Sequence, residues 1–208
     1  MAEGRFVVVS LWAARLDRAL TTKEEQMLLA ELPAERRQRL ARLRQPEKRR
    51  EPLCAYRLLR AALLERYHWQ DLPPMDYGPL GKPCFAGCKD VHFSISHTEG
   101  AVLVGISDQA LGVDIERVRP AAEKLMKRFG SDSPEEFFQS WVRREARAKR
   151  TGTPVELGEE SSLAPGEQVL YPETFPGFAA CVSYQGTMPE KVRRYELEEL
   201  LRLSFIDR

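Results

Sequence analysis

The chain has 208 residues, 43% of them hydrophobic and 30% charged, a composition typical of one globular domain or of two small domains sharing an interface. Its 32 Lys and Arg residues nearly balance 31 Asp and Glu residues, which excludes a global field suited to nucleic acid or to a membrane surface. No apolar run approaches the roughly 20 residues of a membrane span, and the short apolar run after Glu3 is not typical of a secretory signal. Four cysteines in a chain of this length do not make a disulfide framework. We therefore expect a cytoplasmic protein.

The N-terminal part of the chain is predicted to form a strand and three helices. Residues 6–12 are apolar and β-branched, which favours a strand that includes Phe6 and Val7. A capping box at residues 22–25 opens a helix that Pro33 ends. A basic helix follows, and after Pro46 a longer helix is expected, with four residues facing inward: Leu58, Leu59, Ala62 and Leu63.

The second predicted helix and the segment after it are intensely basic. The basic residues are Arg36, Arg37, Arg39, Arg42, Arg44, Lys48, Arg49 and Arg50. Guanidinium groups suit phosphate, so this segment is a candidate polyanion site, and a solvated helix face is the alternative. Duplex nucleic acid is less favoured, because the net charge is near zero and no aromatic residues are interleaved.

After a Pro- and Gly-rich loop (residues 71–88), three strands are predicted as an antiparallel meander. They are residues 92–98, 101–107 and 111–116, with a turn at Glu99-Gly100. In the third strand Asp114 and Glu116 alternate with apolar residues, so they share one face, about 7 Å apart. Two adjacent carboxylates repel unless a cation lies between them, and Mg²⁺ prefers such oxygen ligands. A solvated outer face is the alternative.

The loop and the first of these strands also permit a structural zinc site. Its ligands would be Cys84, Cys88, His92 and His97. If residues 92–98 form a strand, however, the two histidines point to opposite faces and cannot share one ion. This alternative is therefore disfavoured.

A strong helix is predicted from Ser133 to Gly152. Ser and Pro suit its first positions, and Gly suits its end. Trp141, Glu145 and Lys149 recur every four residues and share one stripe. An exposed Glu–Lys pair is the alternative, but a Trp on the same stripe suggests that this face packs inward. Glu145 brought to Asp114 and Glu116 would complete a three-carboxylate cation site, with Lys149 beside it for a phosphate.

The C-terminal part of the chain hints at a duplication. Residues 153–168 are predicted to be a mobile loop, and residues 177–183 a final strand that echoes residues 100–107. The fold class is therefore predicted as α+β, a pseudo-twofold duplication of two halves that meet near residue 109, each an antiparallel sheet on a long helix. A helical, amphipathic tail is expected from Glu190, with four leucines on it: Leu197, Leu200, Leu201 and Leu203.

Four segments, in this order and at these separations, resemble the 4′-phosphopantetheinyl transferases of the two-halved Sfp (surfactin-synthetase-activating) type. They are residues 81–83, 93–98, 112–116 and 141–149. The resemblance implies a pseudo-twofold α+β monomer with Mg²⁺ and coenzyme A between its halves. Residues 1–109 would contact the coenzyme A nucleotide, and residues 110–208 would hold the metal site and the catalytic helix.

The resemblance implies that the phosphopantetheine arm of coenzyme A moves to a serine of an apo acyl or peptidyl carrier protein, with release of 3′,5′-ADP. It makes Asp114, Glu116 and Glu145 the metal ligands and Lys149 the cation at the reacting phosphates. It places His97 at a coenzyme A phosphate, and Ser96, Lys82 and Pro83 at the nucleotide end. Glu145, or a water held by the metal, is the candidate base, so Asp114, Glu145 and Lys149 form the predicted catalytic set.

Three residues depart from the family pattern. Arg144 stands where Lys is usual, and Val142 where Ser or Thr is common. Glu51 falls near the place where some members have an arginine for the 3′-phosphate, so Arg49 or Arg50 is expected to serve instead.

Two further hypotheses and one surface remain open. The chain could be a non-catalytic module that binds coenzyme A or carrier protein, although binding alone does not need three acids and Lys149. It could instead bind nucleic acid through the basic segment, which predicts steep salt dependence. A carrier protein, commonly acidic around its serine, could dock on residues 124–129. The alternative is that these residues simply form one more amphipathic helix: Lys124, Leu125, Met126, Lys127, Arg128 and Phe129.

Overall fold

A computed structural model describes residues 8–43, 45–78, 80–187 and 191–205. The predicted strand residues Phe6 and Val7, the basic residue Arg44 and the start of the predicted tail, Glu190, lie outside this part of the chain. In the described part, no helix is long and apolar enough to span a membrane.

The fold is mixed α+β, as predicted, with two larger sheets and one small hairpin. The helices are α1 (Thr22–Ala30), α2 (Ala34–Ala41), α3 (Arg50–Tyr67), α4 (Glu123–Arg128), α5 (Pro134–Thr151) and α6 (Leu197–Arg202), with a 3₁₀ turn at Pro46–Lys48. The strands are β1 (Ser10–Arg15), β2 (Met75–Tyr77), β3 (Pro83–Phe85), β4 (His92–Thr98), β5 (Ala101–Ser107), β6 (Gly112–Arg117), β7 (Gln168–Leu170), β8 (Phe178–Tyr184) and β9 (Val192–Glu196).

The first sheet has the strand order β4-β5-β1-β9 and packs on α3. Every residue of β5 is buried, which explains its nearly continuous apolar sequence. The inward face predicted for α3 is confirmed, since Leu58, Leu59, Ala62 and Leu63 are all 0% exposed.

The second sheet has the order β6-β8-β7 and packs on α5. Ser133 caps α5, because its hydroxyl accepts from the amide of Glu136, and Gly152 ends the helix with φ 73°. Gly112 permits an unusually close approach of β6 to this helix. A Cβ at Gly112 would lie 1.9 Å from the carbonyl oxygen of Ala146.

The predicted meander is wrong in its third strand. The hairpin of β4 and β5 is confirmed, but β6 pairs with β8 in the other sheet. The reason lies in the alternating hydroxyls of β4, which replace a backbone ladder along β6. Ser94 accepts from the amide of Val113 at 3.0 Å, Ser96 from Ile115 at 3.2 Å and Thr98 from Arg117 at 3.4 Å. We call this contact the hydroxyl junction.

The predicted C-terminal tail is helical only in its second part. Residues 192–196 form β9, which pairs in parallel with β1, and α6 follows. An open edge of β1 takes up these residues, which a periodicity of 3.6 alone cannot reveal. The segment therefore joins the sheet of the N-terminal half, beyond the boundary expected near residue 109. The N-cap of α1 also differs by one residue, since Thr21 rather than Thr22 forms the capping box.

Candidate functional site

The centre of the candidate site lies where β4, β6 and α5 meet. Asp114 of β6 accepts two hydrogen bonds on Oδ1, from the hydroxyl of Ser96 at 2.6 Å and from Nζ of Lys149 at 2.6 Å. Lys149 also donates to Oγ of Ser96 at 2.9 Å. With one hydrogen given and two accepted, from Lys149 and from the amide of Ile115, the Ser96 hydroxyl is fully used.

Asp114 is a carboxylate kept away from water. It is 3% exposed, and burial raises its pKa although Lys149 and Ser96 oppose this effect. Its second oxygen, Oδ2, is buried without a hydrogen-bond partner. An unpaired buried carboxylate oxygen is costly in a folded protein, which marks this position as one suited to a ligand.

Glu116 and Glu145 flank this buried group. Glu116 accepts from the hydroxyl of Thr98 at 3.0 Å and from Arg119 at 3.3 Å. Glu145 is half-buried, and its pKa is raised by withdrawal from water and by the charges of Asp114 and Glu116, against the opposing charge of Lys149. The helical stripe and the strand alternation therefore bring the three predicted acids within electrostatic reach of one another.

The three acids suit a hard divalent cation by their chemistry. Oxygen donors, mutual repulsion and the unpartnered Oδ2 of Asp114 all favour one. Within the described ranges, however, no three His, Cys, Asp or Glu side chains converge to hold a metal ion. In this arrangement Lys149 supplies the positive charge next to Asp114.

A cavity of about 690 Å³ opens beside this cluster. Glu145, Lys149 and His97 line one part of it, and Lys82 and Pro83 also contribute to its wall. Partial withdrawal from water, and then the charge of Lys149, lower the pKa of His97. Ser96 does not line this cavity. It is 4% exposed and hydrogen-bonded to Asp114.

The cavity is also lined by two cationic residues of the predicted basic segment, Arg36 and Arg39 of α2. Arg36 is 9% exposed, its guanidinium lies 4.5 Å from the ring centre of Tyr77 and 5.4 Å from that of Tyr56, and its Nε is buried without a hydrogen-bond partner. The basic segment signalled an anion site. Which of its arginines turned inward depended on how α2 packs.

Arg49 and Arg50 are held by the protein itself. Arg49 donates to the carbonyl of Leu43 and to Glu25, and Arg50 donates to Glu51 and to the carbonyl of Arg18. Arg50 lines a second cavity, of about 780 Å³, which shares His97 with the first. The basic segment is thus divided: Arg49 and Arg50 fasten neighbouring elements, while Arg37, Arg39 and Arg42 are exposed.

The predicted docking segment borders an apolar groove of about 490 Å³ that reaches Glu116. Leu125 and Leu157 are 41% and 46% exposed there, and Phe129 packs against Trp141 with ring centres 5.9 Å apart. Arg128 lines the groove, while Lys127 is paired with Glu123 at 2.6 Å. We call this space the α4–α5 groove.

Comparison with known proteins confirms the resemblance. No protein-family model matches the chain. The 4′-phosphopantetheinyl transferase Sfp of Bacillus subtilis (strain 168) is 25% identical over 226 residues, which cover 93% of this chain and 100% of the relative. The 4′-phosphopantetheinyl transferase ffp of Bacillus subtilis is 25% identical over 167 residues, 74% of this chain and 75% of its own length. The 4′-phosphopantetheinyl transferase AcpT of Salmonella typhimurium is 31% identical over 97 residues, 39% of this chain and 50% of its own.

Proposed function

We propose that this chain, a relative of the 4′-phosphopantetheinyl transferases and an enzyme of that type, moves the phosphopantetheine arm of coenzyme A to a serine of an apo acyl or peptidyl carrier protein. The reaction would depend on Mg²⁺ and release 3′,5′-ADP. One observation supports the proposal most strongly. Asp114, a buried acid with one unpartnered oxygen, is hydrogen-bonded to Lys149 beside a cavity with cationic walls.

The chemistry is a phosphoryl-centre displacement. The serine oxygen forms a bond to the β-phosphorus of coenzyme A, and the bond from that phosphorus to the bridging oxygen of the α-phosphate breaks. Negative charge builds on the phosphate oxygens, so positioning and electrostatic stabilisation supply most of the rate.

Lys149 and His97 suit the phosphates. An ammonium group has three N–H donors, and Lys149 uses two of them on Asp114 and Ser96. The third is left for a phosphate oxygen in the cavity that both side chains line. Arg36 and Arg39 give the same cavity further positive charge, suited to the polyanionic nucleotide end.

Asp114, Glu116 and Glu145 would hold the Mg²⁺. When bound, the ion would neutralise charge on the phosphate oxygens. Glu145 is also our candidate for accepting the serine proton, because its half-buried carboxylate lines the cavity in which the phosphates would lie.

We further propose a cytoplasmic monomer whose two sheet-and-helix halves arose by duplication. The packing of one sheet on α3 and of the other on α5 supports the second point. Sedimentation of the protein with and without coenzyme A tests the monomeric state, and a dimer at working concentration would contradict it.

The decisive experiment is intact-mass spectrometry of an apo carrier protein incubated with this chain, coenzyme A and Mg²⁺. The expected result is a mass gain of one phosphopantetheine, absent with EDTA. No gain with several unrelated carriers, despite measurable coenzyme A binding, would favour the non-catalytic binding module instead.

A further inference from the structure

We propose that Lys82 is a positioning residue, whose amine fastens the C-terminal end of α5 to the start of β6 and so holds Lys149 in register with Asp114. The kinetic part of this inference rests on the proposed function. The resemblance alone would assign Lys82 to the nucleotide, and its contacts argue for a different role.

Lys82 sits at the end of a tight turn. The amide of Gly78 donates to the Lys82 carbonyl at 2.9 Å, and Gly81, with φ 83°, donates to the carbonyl of Gly78 at 2.8 Å. The turn leads directly into β3, so main-chain hydrogen bonds hold the backbone of Lys82 independently of its side-chain contacts.

The Lys82 amine is directed at two backbone carbonyls from different elements. Nζ donates to the carbonyl of Arg150 at 2.8 Å and to that of Leu111 at 3.2 Å. The Arg150 carbonyl belongs to the last turn of α5, where helix carbonyls lack intrahelical partners and where a cation is favoured by the helix dipole. The stem of Lys82 lies under the helix end, since a Cβ on Gly152 would be 3.7 Å from its Cβ and Cδ.

The two carbonyls stand next to the reacting groups in sequence. Arg150 follows Lys149, and Leu111 is the last residue before β6, which carries Asp114. Burial, and then the charge of Arg150, lower the pKa of Lys82 to about 8, in keeping with an amine turned away from solvent. Both of its hydrogen bonds go to backbone carbonyls that flank Lys149 and the strand of Asp114, so it is placed to act through the position of Lys149.

The test compares Lys82→Met, which removes the donors but keeps the stem, with Lys82→Arg, which keeps a cation and several donors. The matched control is Lys89→Met, at an exposed lysine of the same region. Three quantities are measured for each variant: kcat and KM with saturating carrier, the Kd for coenzyme A by calorimetry, and hydrogen exchange of the α5 C-terminal amides, which needs no activity.

We expect Lys82→Met to lower kcat about tenfold or more, because small misplacements of reacting groups are costly. The KM and Kd of Lys82→Met for coenzyme A should stay near the wild-type values. Its Gly152 and Thr153 amides, which donate to the Ala148 carbonyl, should exchange faster. Lys82→Arg should recover most of kcat. If Lys82→Met does not fold, Lys82→Gln carries the same comparison.

Two results would overturn the inference. A weakened Kd for coenzyme A with unchanged kcat and unchanged exchange would make Lys82 a nucleotide ligand. Unchanged exchange at the end of α5 in a folded Lys82→Met protein would refute the fastening even if the chain proved to have no transferase activity.

Discussion

The proposed chemistry depends most on one carboxylate, that of Asp114. It is buried, its pKa is raised, one oxygen is shared between a lysine and a serine, and the other has no partner. Such an arrangement costs folding free energy, and proteins keep it where a ligand or a reaction needs it. Glu145 adds a second acid with a raised pKa, on a different element.

Replacing either acid should therefore separate activity from folding. We expect Asp114→Ala and Glu145→Ala to stay folded and to lose transfer by at least about 100-fold, since electrostatic stabilisation of the transferred phosphate is the largest contribution. Circular dichroism and the mass assay measure the two properties. Glu135→Gln, at an exposed acid in the first turn of the same helix, should leave both unchanged. Full activity in either alanine variant would refute the site assignment.

The helix α5 presents three faces, each with its own task. Val142 and Ala146 are buried on the second sheet, and Glu145 and Lys149 face the cavity. A third face carries the arginines that hold the loop after the helix, residues 153–167: Arg143, Arg144, Arg147 and Arg150. The segment predicted to be a mobile loop thus lacks regular structure but is fastened along its length.

The contacts of Arg144 give a reason for its departure from the family pattern, in which Lys is usual at this position. It donates to the carbonyls of Glu156 and Gly158, both at 2.7 Å, while its guanidinium lies 4.9 Å from the ring centre of Phe129. Both hydrogen bonds come from Nη1, and the planar guanidinium lies against the Phe129 ring at the same time. This arginine therefore serves the loop after α5.

The ion pairs of Glu167 with the arginines of α5 make the free energy of unfolding depend on pH in the acid range. Burial alone raises the pKa of Glu167, but hydrogen bonds from Arg147, Ala164 and Ser183, with the charge of Arg150, lower it to about 2 from the usual 4.5. The unfolded chain takes up the proton first as the pH falls, so this contribution to stability is present above pH 4.5 and is lost toward pH 2.

We therefore expect Glu167→Gln to flatten the fall of the free energy of unfolding with pH in that window. At neutral pH the variant should also be less stable by about 3 kcal/mol, because the partly buried guanidiniums of Arg147 and Arg150 lose their partner. Urea unfolding at about pH 7 measures the loss of stability, and unfolding from about pH 5 to about pH 3 measures the slope. Glu159→Gln, at an exposed glutamate of the same loop, is the control, and equal slopes in the two variants would contradict the assignment.

The α4–α5 groove makes a separate prediction about the carrier protein. An apolar floor with a cationic rim next to Glu116 suits an acidic, amphipathic surface. Replacing Arg128 of the rim and the neighbouring Lys127 by glutamate should raise KM for carrier about tenfold while leaving the Kd for coenzyme A unchanged. Lys23→Glu on α1 is the control, and an unchanged KM for carrier in the double variant would refute the surface.

The whole molecule is organised by the hydroxyl junction rather than by one continuous sheet. Because side-chain oxygens of β4 receive the amides of β6, the two sheets meet without sharing a ladder, and the candidate site lies at this seam. Two of the three hydroxyls of the junction also bond an acid of the candidate site, since Ser96 donates to Asp114 and Thr98 to Glu116.

The junction can be tested at Ser94, which contacts neither acid. Ser94→Ala leaves the buried amide of Val113 without its partner at 3.0 Å, so the free energy of unfolding should fall by about 1–3 kcal/mol. Denaturant titration measures this loss. Ser140→Ala, at a half-exposed serine of α5, should have little effect, and a neutral Ser94→Ala would mean that the sheets are joined by other contacts.

The sequence alone determined the elements and the side-chain faces, because periodicity and caps act within a short window of chain. It predicted β4, β5, β8, α3 and α5, the shared face of Asp114 and Glu116, and the stripe of Glu145 and Lys149. Tertiary structure decided which strands pair, since β6 pairs with β8 and β9 pairs with β1. It also decided which cations face the cavity and which fasten the fold, as with Arg36, Arg49 and Lys82. A long side chain can reach several partners equally well from its place in the sequence, and only packing between distant segments selects one of them.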